Sequence, residues 1–322
     1  MIAKIVNKFK RYKTKKFPTY HSKVLQRLVI DYRLKQPPWW LNFTLDEQGI
    51  PVTNYQNQGQ HINPTFVAYR AFQLLGDYEF KSELLARKKF LNCANWFCNN
   101  STQVCDDSIC WLNHFDWSVG KAHCKAPFAD AMTQSLALSV LVAAYQISGD
   151  KKYFENAKYA LSMFLVKNHE LSFVTFDSNG DGPFYEEYPA KPYPRILDGL
   201  LISLIGPADF LKIALDHKVK EDILLSVSAI GNKLHRYSFM GCWSYFGGEN
   251  YSELSDGYYH GYNIQLLKIC YLIYGDKVFF DLHRQFEDSS ESKITKFLIP
   301  FSSTFVAYKN LFKEKLSVKK NI

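Results

Sequence analysis

The sequence lacks a hydrophobic run long enough to span a bilayer, which takes about 18–20 consecutive apolar residues. Its longest apolar stretch, around residues 136–147, is interrupted by Ser139 and Gln146. The opening residues, MIAKIVNKFKRYKTKK, are charged and lack the apolar centre of a secretory signal. From these absences we expect a cytoplasmic protein.

The chain has no net positive charge outside its N-terminus. The net charge is +8, from 39 basic and 31 acidic residues. Nine of the basic residues precede Asp31, the first acid, which leaves 30 basic against 31 acidic side chains in the remainder. A chain that is close to neutral after residue 30 is not typical of nucleic-acid-binding proteins, which have basic domains. The basic arm, residues 1–30, is either a solvated tail or an amphipathic segment at an anionic membrane surface, such as the inner face of the cell membrane.

Common signatures of nucleotide and metal chemistry are also missing. The chain has no P-loop, GxGxxG, HExxH or GxSxG motif. It has seven cysteines, and the five within residues 93–124 lack the C-x2-C spacing of zinc sites. His114 and His123 lie nearby, so zinc and a disulfide stay open as alternatives. We favour reduced structural thiols and expect no metal.

One acidic segment begins like a calcium-binding loop. Asp177, Asn179 and Asp181 occupy the first, third and fifth positions of an EF-hand pattern. The twelfth position needs a bidentate Glu, but it holds Tyr188. An ordinary hairpin turn is therefore favoured over a calcium site.

A weak internal repeat predicts how the chain is organised. Apolar helical stretches end in Gly–Asp pairs at Gly76–Asp77, Gly149–Asp150 and Gly275–Asp276, and Gly206–Asp209 is a stretched copy. Glycine can take the left-handed conformation that ends a helix, and aspartate can cap the next helix. The repeat predicts an all-α fold, an incomplete (α/α) toroid or barrel of about four helical hairpins.

Three segments between the predicted hairpins are not helical in pattern. Residues 49–64 are rich in turn formers, whereas residues 171–194 and 241–263 alternate aromatic and polar residues around glycines. In a ring of hairpins, such inserted segments would gather at one end and form a cleft. Glu186 and Glu187 are neighbours, so on a strand only one of them can enter that cleft. The tyrosines of the third segment indicate either core packing or a sugar-stacking surface.

The segment YEEYPAKPYPRILDGLLISLIGPADF resembles the C-terminal domain of D-glucuronyl C5-epimerases, which convert glucuronate to iduronate within a polymer. INPTFVAYRAF, FADAMTQSLALSVLVAAYQISGD and YHGYNIQLLKICYLIYGD resemble further family blocks in the same order. The resemblance covers about residues 40–285. It implies an isomerase with a catalytic domain over residues 31–290 and no cofactor, followed by a helical tail over residues 291–322.

The resemblance also implies site residues by position. Glu187 with Tyr188, and Tyr259, correspond to the family's proton-carrying groups. A further family tyrosine falls on Tyr245 or on its neighbour, and we assign it to Tyr245. The family's D-L-R-H stretch is lost after this point, so Arg195 is our candidate for binding the substrate carboxylate. The remaining candidate substrate-binding residues are Tyr55, Asn63, Gln134 and His260.

The implied chemistry explains these residue types. Inverting C5 removes a proton beside a carboxylate and returns one to the opposite face, so two proton carriers are needed. The enolate-like intermediate needs charge stabilisation. Glu187 would act as the base and Tyr259 as the acid, with Tyr188 and Tyr245 stabilising charge. Asp198 stands where the family has Asn, which bears on substrate identity.

The implied substrate is a glucuronate-containing bacterial surface polysaccharide or its lipid-linked precursor. Two alternatives stay open. A polysaccharide lyase or hydrolase of the same fold would remove the same proton and then expel the 4-O leaving group. A non-catalytic glycan-binding relative is suggested by the lost Arg–His pair. We expect no nucleic-acid partner, and a homodimer stays open.

Overall fold

The computed structural model of the protein describes residues 23–28, 30, 43–248 and 250–292. Most of the basic arm predicted over residues 1–30 lies outside the described residues. The helical tail predicted over residues 291–322 also lies outside them, apart from its first two positions.

The described chain is predominantly helical, and its helices pack in pairs. A short 3₁₀ turn follows α4 and another follows α7 in the numbering below. The helices are α1 (Pro64–Lys81), α2 (Leu84–Asn99), α3 (Ala131–Ser148), α4 (Lys151–Ser162), α5 (Leu197–Ser203), α6 (Ile205–Leu211), α7 (His217–Lys233), α8 (Gly257–Tyr274) and α9 (Lys277–Glu291).

Short antiparallel strands fill the connections between helices. β1, β2 and β3 form a three-stranded sheet, and the other pairs are β4–β5, β6–β9, β7–β8, β10–β11 and β12–β13. The strands are β1 (Thr44–Leu45), β2 (Pro51–Tyr55), β3 (Gly59–His61), β4 (Thr102–Cys105), β5 (Ser108–Cys110), β6 (Leu112–Asn113), β7 (Trp117–Val119), β8 (Ala122–Cys124), β9 (Phe128–Ala129), β10 (Val174–Thr175), β11 (Phe184–Tyr185), β12 (Ser238–Phe239) and β13 (Trp243–Ser244).

Two of the predicted helix junctions are confirmed. Gly149 ends α3 with a left-handed φ of 73°, and Asp150 caps α4 by accepting a hydrogen bond from the N–H of Lys152 at 3.0 Å. Gly275 ends α8 with φ 76°, and Asp276 caps α9 in the same way. These local signals define the hairpins α3–α4 and α8–α9.

The junction predicted at Gly76–Asp77 is wrong, because α1 continues to Lys81. The guanidinium of Arg27 lies against Gly76 and leaves no room there for a Cβ atom. Asp77 pairs with Lys81 at 2.8 Å along the same helix. The helix ends instead at Ser82, whose φ is 57°. This glycine serves a long-range contact and does not end a helix.

The stretched copy at Gly206–Asp209 is also not a junction, since both residues lie inside α6. Gly206 packs directly against the backbone of Ser135 in α3. Asp209 accepts hydrogen bonds from the N–H groups of Leu25 at 2.5 Å and Gln26 at 3.1 Å. Gly206 and Asp209 therefore connect α6 to α3 and to residues 25–26, near the end of the basic arm.

Helix α3 lies at the centre of the fold, packing against α1, α2, α4, α5 and α6. By length and composition it could cross a membrane, although Ser139 and Gln146 interrupt its apolar sequence. Of this helix, 78% is buried within the protein, which is typical of a core helix.

The helices form a continuous row. α1 packs on α3, α3 on α5 and α5 on α8. Their partners α2, α4 and α9 pack against α1, α3 and α8, while α6 packs on α7. This arrangement gives most of the predicted hairpins and brings four helix N-termini toward the inserted segments.

Candidate active site

A cavity of about 860 Å³ lies where the inserted segments gather. Thr65, Met132, Asp198 and Tyr259, from the first turns of α1, α3, α5 and α8, all line it. The other lining residues are Phe43, Thr44, Val52, Thr53, Asn54, Tyr55, Gln56, Gln60, Asn63, Phe66, Asn113, Phe115, Trp117, Phe128, Asp130, Glu187, Tyr188 and Phe246.

Glu187 enters this cavity after strand β11, over the first turn of α5. A Cβ atom at Gly199 would lie 2.5 Å from its Oε2 and 2.6 Å from its Cβ. The close approach of Glu187 therefore requires glycine at position 199.

Glu186 is fully buried and points away from the cavity, as alternation predicts. Its Oε1 accepts a hydrogen bond from the hydroxyl of Thr175 at 2.7 Å and lies 3.3 Å from Nε of Arg195. Burial raises the pKa of Glu186, and Arg195 opposes that shift. Glu186 is thus a structural carboxylate behind the cavity wall.

Tyr188 shares the cavity with Glu187, because β11 ends at Tyr185 and the chain bends before Tyr188. Its hydroxyl hydrogen-bonds to the Glu187 carboxylate. Burial raises the pKa of Tyr188 well above its usual value, and the negative charges of Glu187 and Asp198 add to the shift. The phenol stays protonated and is a hydrogen-bond donor at neutral pH.

Tyr259 is held in the first turn of α8. Asp256 caps this helix and accepts a hydrogen bond from the Tyr259 N–H at 2.8 Å. The ring of Tyr259 meets that of Phe246 edge to face, with centroids 4.8 Å apart. Glu187 and Tyr259, 72 positions apart in sequence, thus line one cavity.

The structure does not bring Tyr245 to the cavity, so the register assigned from the resemblance needs correction. Tyr245 forms a bridge with Leu254 and packs edge to face against Phe239. Its neighbour Phe246 takes the place beside Tyr259. Phenylalanine has no hydroxyl that could carry a proton, so Phe246 only forms part of the apolar cavity wall.

Two substrate-binding candidates lie at the cavity. Asn63 caps α1 by accepting a hydrogen bond from the Thr65 N–H at 2.9 Å. Its amide donates a second hydrogen bond, of 2.8 Å, to the hydroxyl of Tyr55. Burial raises the pKa of Tyr55 to about 12, against the opposing effect of Asn63. Both side chains contribute polar groups to the lining of the cavity.

Two other candidates do not line the cavity, because each is held in the core. The amide of Gln134 donates to the carbonyls of Ile109 at 2.8 Å and Ala160 at 2.9 Å. His260 stacks on Trp243 with centroids 3.8 Å apart. Burial lowers the pKa of His260 to about 4, so the imidazole is neutral at pH 7.

Arg195 likewise does not line the cavity, because its guanidinium forms ion pairs with carboxylates behind the cavity wall. Its guanidinium lies 2.8 Å from Asp177 and 3.3 Å from Glu186, and it stacks on the Phe184 ring at 3.6 Å. Lys233 pairs with Asp177 as well. Arg195 therefore cannot bind a substrate carboxylate from this position. In the EF-hand-like segment, Asp177 pairs with the side chains of Arg195 and Lys233.

Several cavity residues were not predicted from the sequence. Asp130 caps α3, accepting from Thr133 N–H at 2.7 Å and from the Asn113 amide at 2.8 Å, and burial raises its pKa. With Asp130, Glu187 and Asp198, the described lining has three carboxylates and neither lysine nor arginine.

The thiols show no common site in the described part of the chain. All seven cysteines are free. Among the described residues, no group of three His, Cys, Asp or Glu side chains could hold a metal ion.

The helical fold is similar to that of solved structures of other proteins. Cellobiose 2-epimerase from Bacillus thermoamylovorans B4167 superposes with a TM-score of 0.53 at 10% identity, covering 89% of this chain and 86% of that one. The GH76 alpha-mannanase of Bacteroides thetaiotaomicron gives 0.46 at 10% identity, covering 80% and 70%.

The family described as "D-glucuronyl C5-epimerase C-terminus" matches residues 105–288, and the chain belongs to this family. It is similar to D-glucuronyl C5-epimerase of Caenorhabditis elegans, with 28% identity over 152 residues. That match covers 44% of this chain and 23% of the relative's length. The family is named after a carbohydrate epimerase, which is an isomerase.

Proposed function

We propose that the protein is a uronyl C5-epimerase that converts D-glucuronate to L-iduronate residues within a polysaccharide. The observation that carries this proposal is the shared cavity of Glu187, Tyr188 and Tyr259. Two of these side chains come from the insert around β11, and the third begins α8. We also propose that the row of helices closes into an (α/α) toroid around this cavity.

In the proposed reaction, the Glu187 carboxylate removes the C5 proton from one face of the glucuronate ring. Tyr259 donates its phenolic proton to C5 on the opposite face, and proton exchange with solvent restores both groups. Tyr188 stays protonated because of its raised pKa. Once Glu187 has taken up the C5 proton, the Tyr188 hydroxyl turns its single hydrogen bond from Glu187 to the charge that develops on the substrate carboxylate. Each proton carrier contributes about 10²–10⁴-fold to the rate.

The enolate-like intermediate carries negative charge, yet the described cavity lining offers no cationic side chain. A helix N-terminus carries the positive end of the helix dipole. The first turns of α1, α3, α5 and α8 meet at this cavity. The N–H groups of Thr65, Thr133 and Tyr259 already donate to the capping side chains of Asn63, Asp130 and Asp256. In the proposed reaction, the helix dipoles and the Tyr188 hydroxyl therefore offset this charge in place of an arginine.

The proposed setting is the cytoplasmic face of the cell membrane, on a surface polysaccharide or its lipid-linked precursor. Support comes from the eight basic residues that precede Arg27. Arg27 itself is buried against Gly76 and pairs with Glu79. Clusters of basic residues are attracted to anionic lipid by about 1 kcal/mol for each basic side chain near the surface.

Deuterium incorporation at C5, followed by NMR in D₂O on glucuronate-containing oligosaccharides, tests the proposal. We expect exchange with the wild type and a loss of at least about 10²-fold in Glu187→Gln and in Tyr259→Phe. Tyr245→Phe and the exposed Glu170→Gln are matched controls outside the cavity and should exchange normally.

Each alternative outcome has a distinct signature. Absorbance of an unsaturated uronate in place of exchange would identify a lyase. Binding of the oligosaccharide without exchange would identify a non-catalytic glycan-binding protein. Wild-type exchange in either cavity variant would rule out the assigned proton carriers.

A further inference from the structure

An aromatic corner forms one wall of the cavity. The rings of Tyr55 and Phe115 stack with centroids 4.0 Å apart and an interplanar angle of 14°. The indole of Trp117 meets Tyr55 edge-on at 6.1 Å and Phe115 at 6.3 Å. Phe115 is buried, whereas Trp117 is 40% exposed while lining the cavity. The wall therefore presents one large open ring that two others support.

The corner is fixed by contacts between two hairpins. The Gln58 amide in the β2–β3 turn donates to the carbonyl of Asp116 at 3.0 Å and accepts from its N–H at 2.6 Å. At the β7–β8 turn, Gly120 has φ 56°, and a Cβ there would lie 2.5 Å from the Tyr251 ring. Both ends of the hairpin that carries Trp117 are thus anchored.

The polar side chains of the β2–β3 hairpin that line the cavity are uncharged, and His61 lies behind them, 6.1 Å from the rings of Tyr55 and Phe115. Asn54, Gln56 and Gln60 are exposed and line the cavity with Thr53. Amides and hydroxyls can donate and accept hydrogen bonds with sugar hydroxyl or N-acetyl groups. A sulfate group beside Trp117 would need a cationic partner to offset its desolvation. The cavity-lining side chains of the β2–β3 hairpin supply none.

The cavity has room for more than one ring. Its volume of about 860 Å³ is near the upper end of the range of about 300–1,000 Å³ for small-molecule sites. The proposed proton carriers come from the segment after β11 and from α8, whereas Trp117 is carried by the β7–β8 hairpin. Separate segments thus supply the reacting groups and the aromatic platform.

We propose that Trp117 is the stacking platform of a second subsite, which binds an uncharged, unsulfated sugar next to the reacting glucuronate. This inference rests on the proposed function and narrows its substrate class. The apolar C–H face of the neighbouring sugar packs on the indole, while Gln56 and Gln60 hydrogen-bond to its substituents. The substrate is therefore a glucuronate polymer whose partner sugar carries no sulfate.

Calorimetric titration of the full chain with glucuronate–N-acetylglucosamine hexasaccharides tests this subsite. We expect the unsulfated hexasaccharide to bind at least about tenfold more tightly than its N-sulfated counterpart. Trp117→Ala should weaken unsulfated binding about tenfold, because it removes the stacking surface. Trp117→Phe, which keeps a smaller ring and the packing of the corner, should lose less. Tyr159→Ala removes an equally exposed aromatic from α4, outside the cavity, and should bind like the wild type.

C5 exchange on the same oligosaccharides separates this subsite from the reaction itself. Trp117→Ala should raise KM with little change in kcat, since the platform does not touch the reacting carbon. Equal affinity for both hexasaccharides, or no effect of either Trp117 variant, would overturn the subsite even if exchange is normal. Trp117-dependent binding without any exchange would support the subsite and refute the proposed epimerase activity.

Discussion

Glu187 occupies the space that a side chain at position 199 would need. The distances of 2.5 Å and 2.6 Å from an added Cβ are shorter than any normal contact. Glu187 lies on a loop and Gly199 in a helix, so their contact sets the depth at which the carboxylate enters the cavity. The smallest residue in the helix thereby positions the proposed base.

Gly199→Ala should displace Glu187 and slow C5 exchange by about 10²-fold, because a shift of about 1 Å in a reacting group can have this cost. Gly257→Ala is the matched control, since an added Cβ there meets no atom within 4 Å. Exchange rates measured by NMR should fall only in the first variant. Equal rates in both would show that the contact does not position the carboxylate.

Tyr188→Phe should slow exchange by about 10²–10³-fold, the usual effect of removing one hydrogen-bond donor from a developing oxyanion. Tyr185→Phe removes a nearby hydroxyl that makes no hydrogen bond and should leave the rate unchanged. A normal exchange rate in Tyr188→Phe would show that the Tyr188 hydroxyl does not stabilise the developing charge.

Asp198→Asn should lower KM for an anionic oligosaccharide about three- to tenfold, because it removes one of three carboxylates at the cavity. The gain should shrink at high salt, which screens the remaining repulsion. The exposed Asp107→Asn serves as the control. An unchanged or higher KM in Asp198→Asn would contradict the electrostatic argument.

Stability should fall as the pH drops from about 6.5 toward 4, in part through His260. Burial holds the pKa of this imidazole at about 4 in the folded protein, below its ordinary value of 6.5. The unfolded chain therefore binds a proton at His260 that the folded chain does not bind. This difference lowers the free energy of unfolding by about 2–3 kcal/mol at pH 4.5. Urea unfolding at pH 7 and pH 4.5 should show this loss, and His260→Gln should show a smaller one. An identical loss in the variant would exclude His260 as a cause.

Local signals in the sequence are enough to predict part of this fold. Gly149–Asp150 and Gly275–Asp276 each end one helix and cap the next with residues close in sequence. The same dipeptide at Gly76–Asp77 lies inside a helix, because Arg27 approaches that glycine from a distant part of the chain. A pattern alone does not distinguish a glycine that ends a helix from one that admits a neighbour.

The candidate site was predicted in part. Motif resemblance selects Glu187, Tyr188 and Tyr259, which the structure places at one cavity. It does not find Trp117, because that ring reaches the cavity through a contact between two hairpins. The choice between Tyr245 and its neighbour depends on the path of a loop, which motif spacing does not determine.

The place where the basic arm joins the folded domain, at Lys23, has a geometric consequence for the proposed activity at a membrane. The N–H of Lys23 donates to the side chain of Gln146 near the far end of α3, whereas Met132 lines the cavity at the other end. At 1.5 Å per helical residue, these two positions are separated by about 20 Å. An arm that rests on lipid from this point would hold the cavity entrance above the bilayer. In the membrane setting proposed above, a lipid-linked glycan would have to extend several sugars from its anchor before its glucuronates reached the cavity. The length of α3 would then set the distance from the anchor at which modification begins.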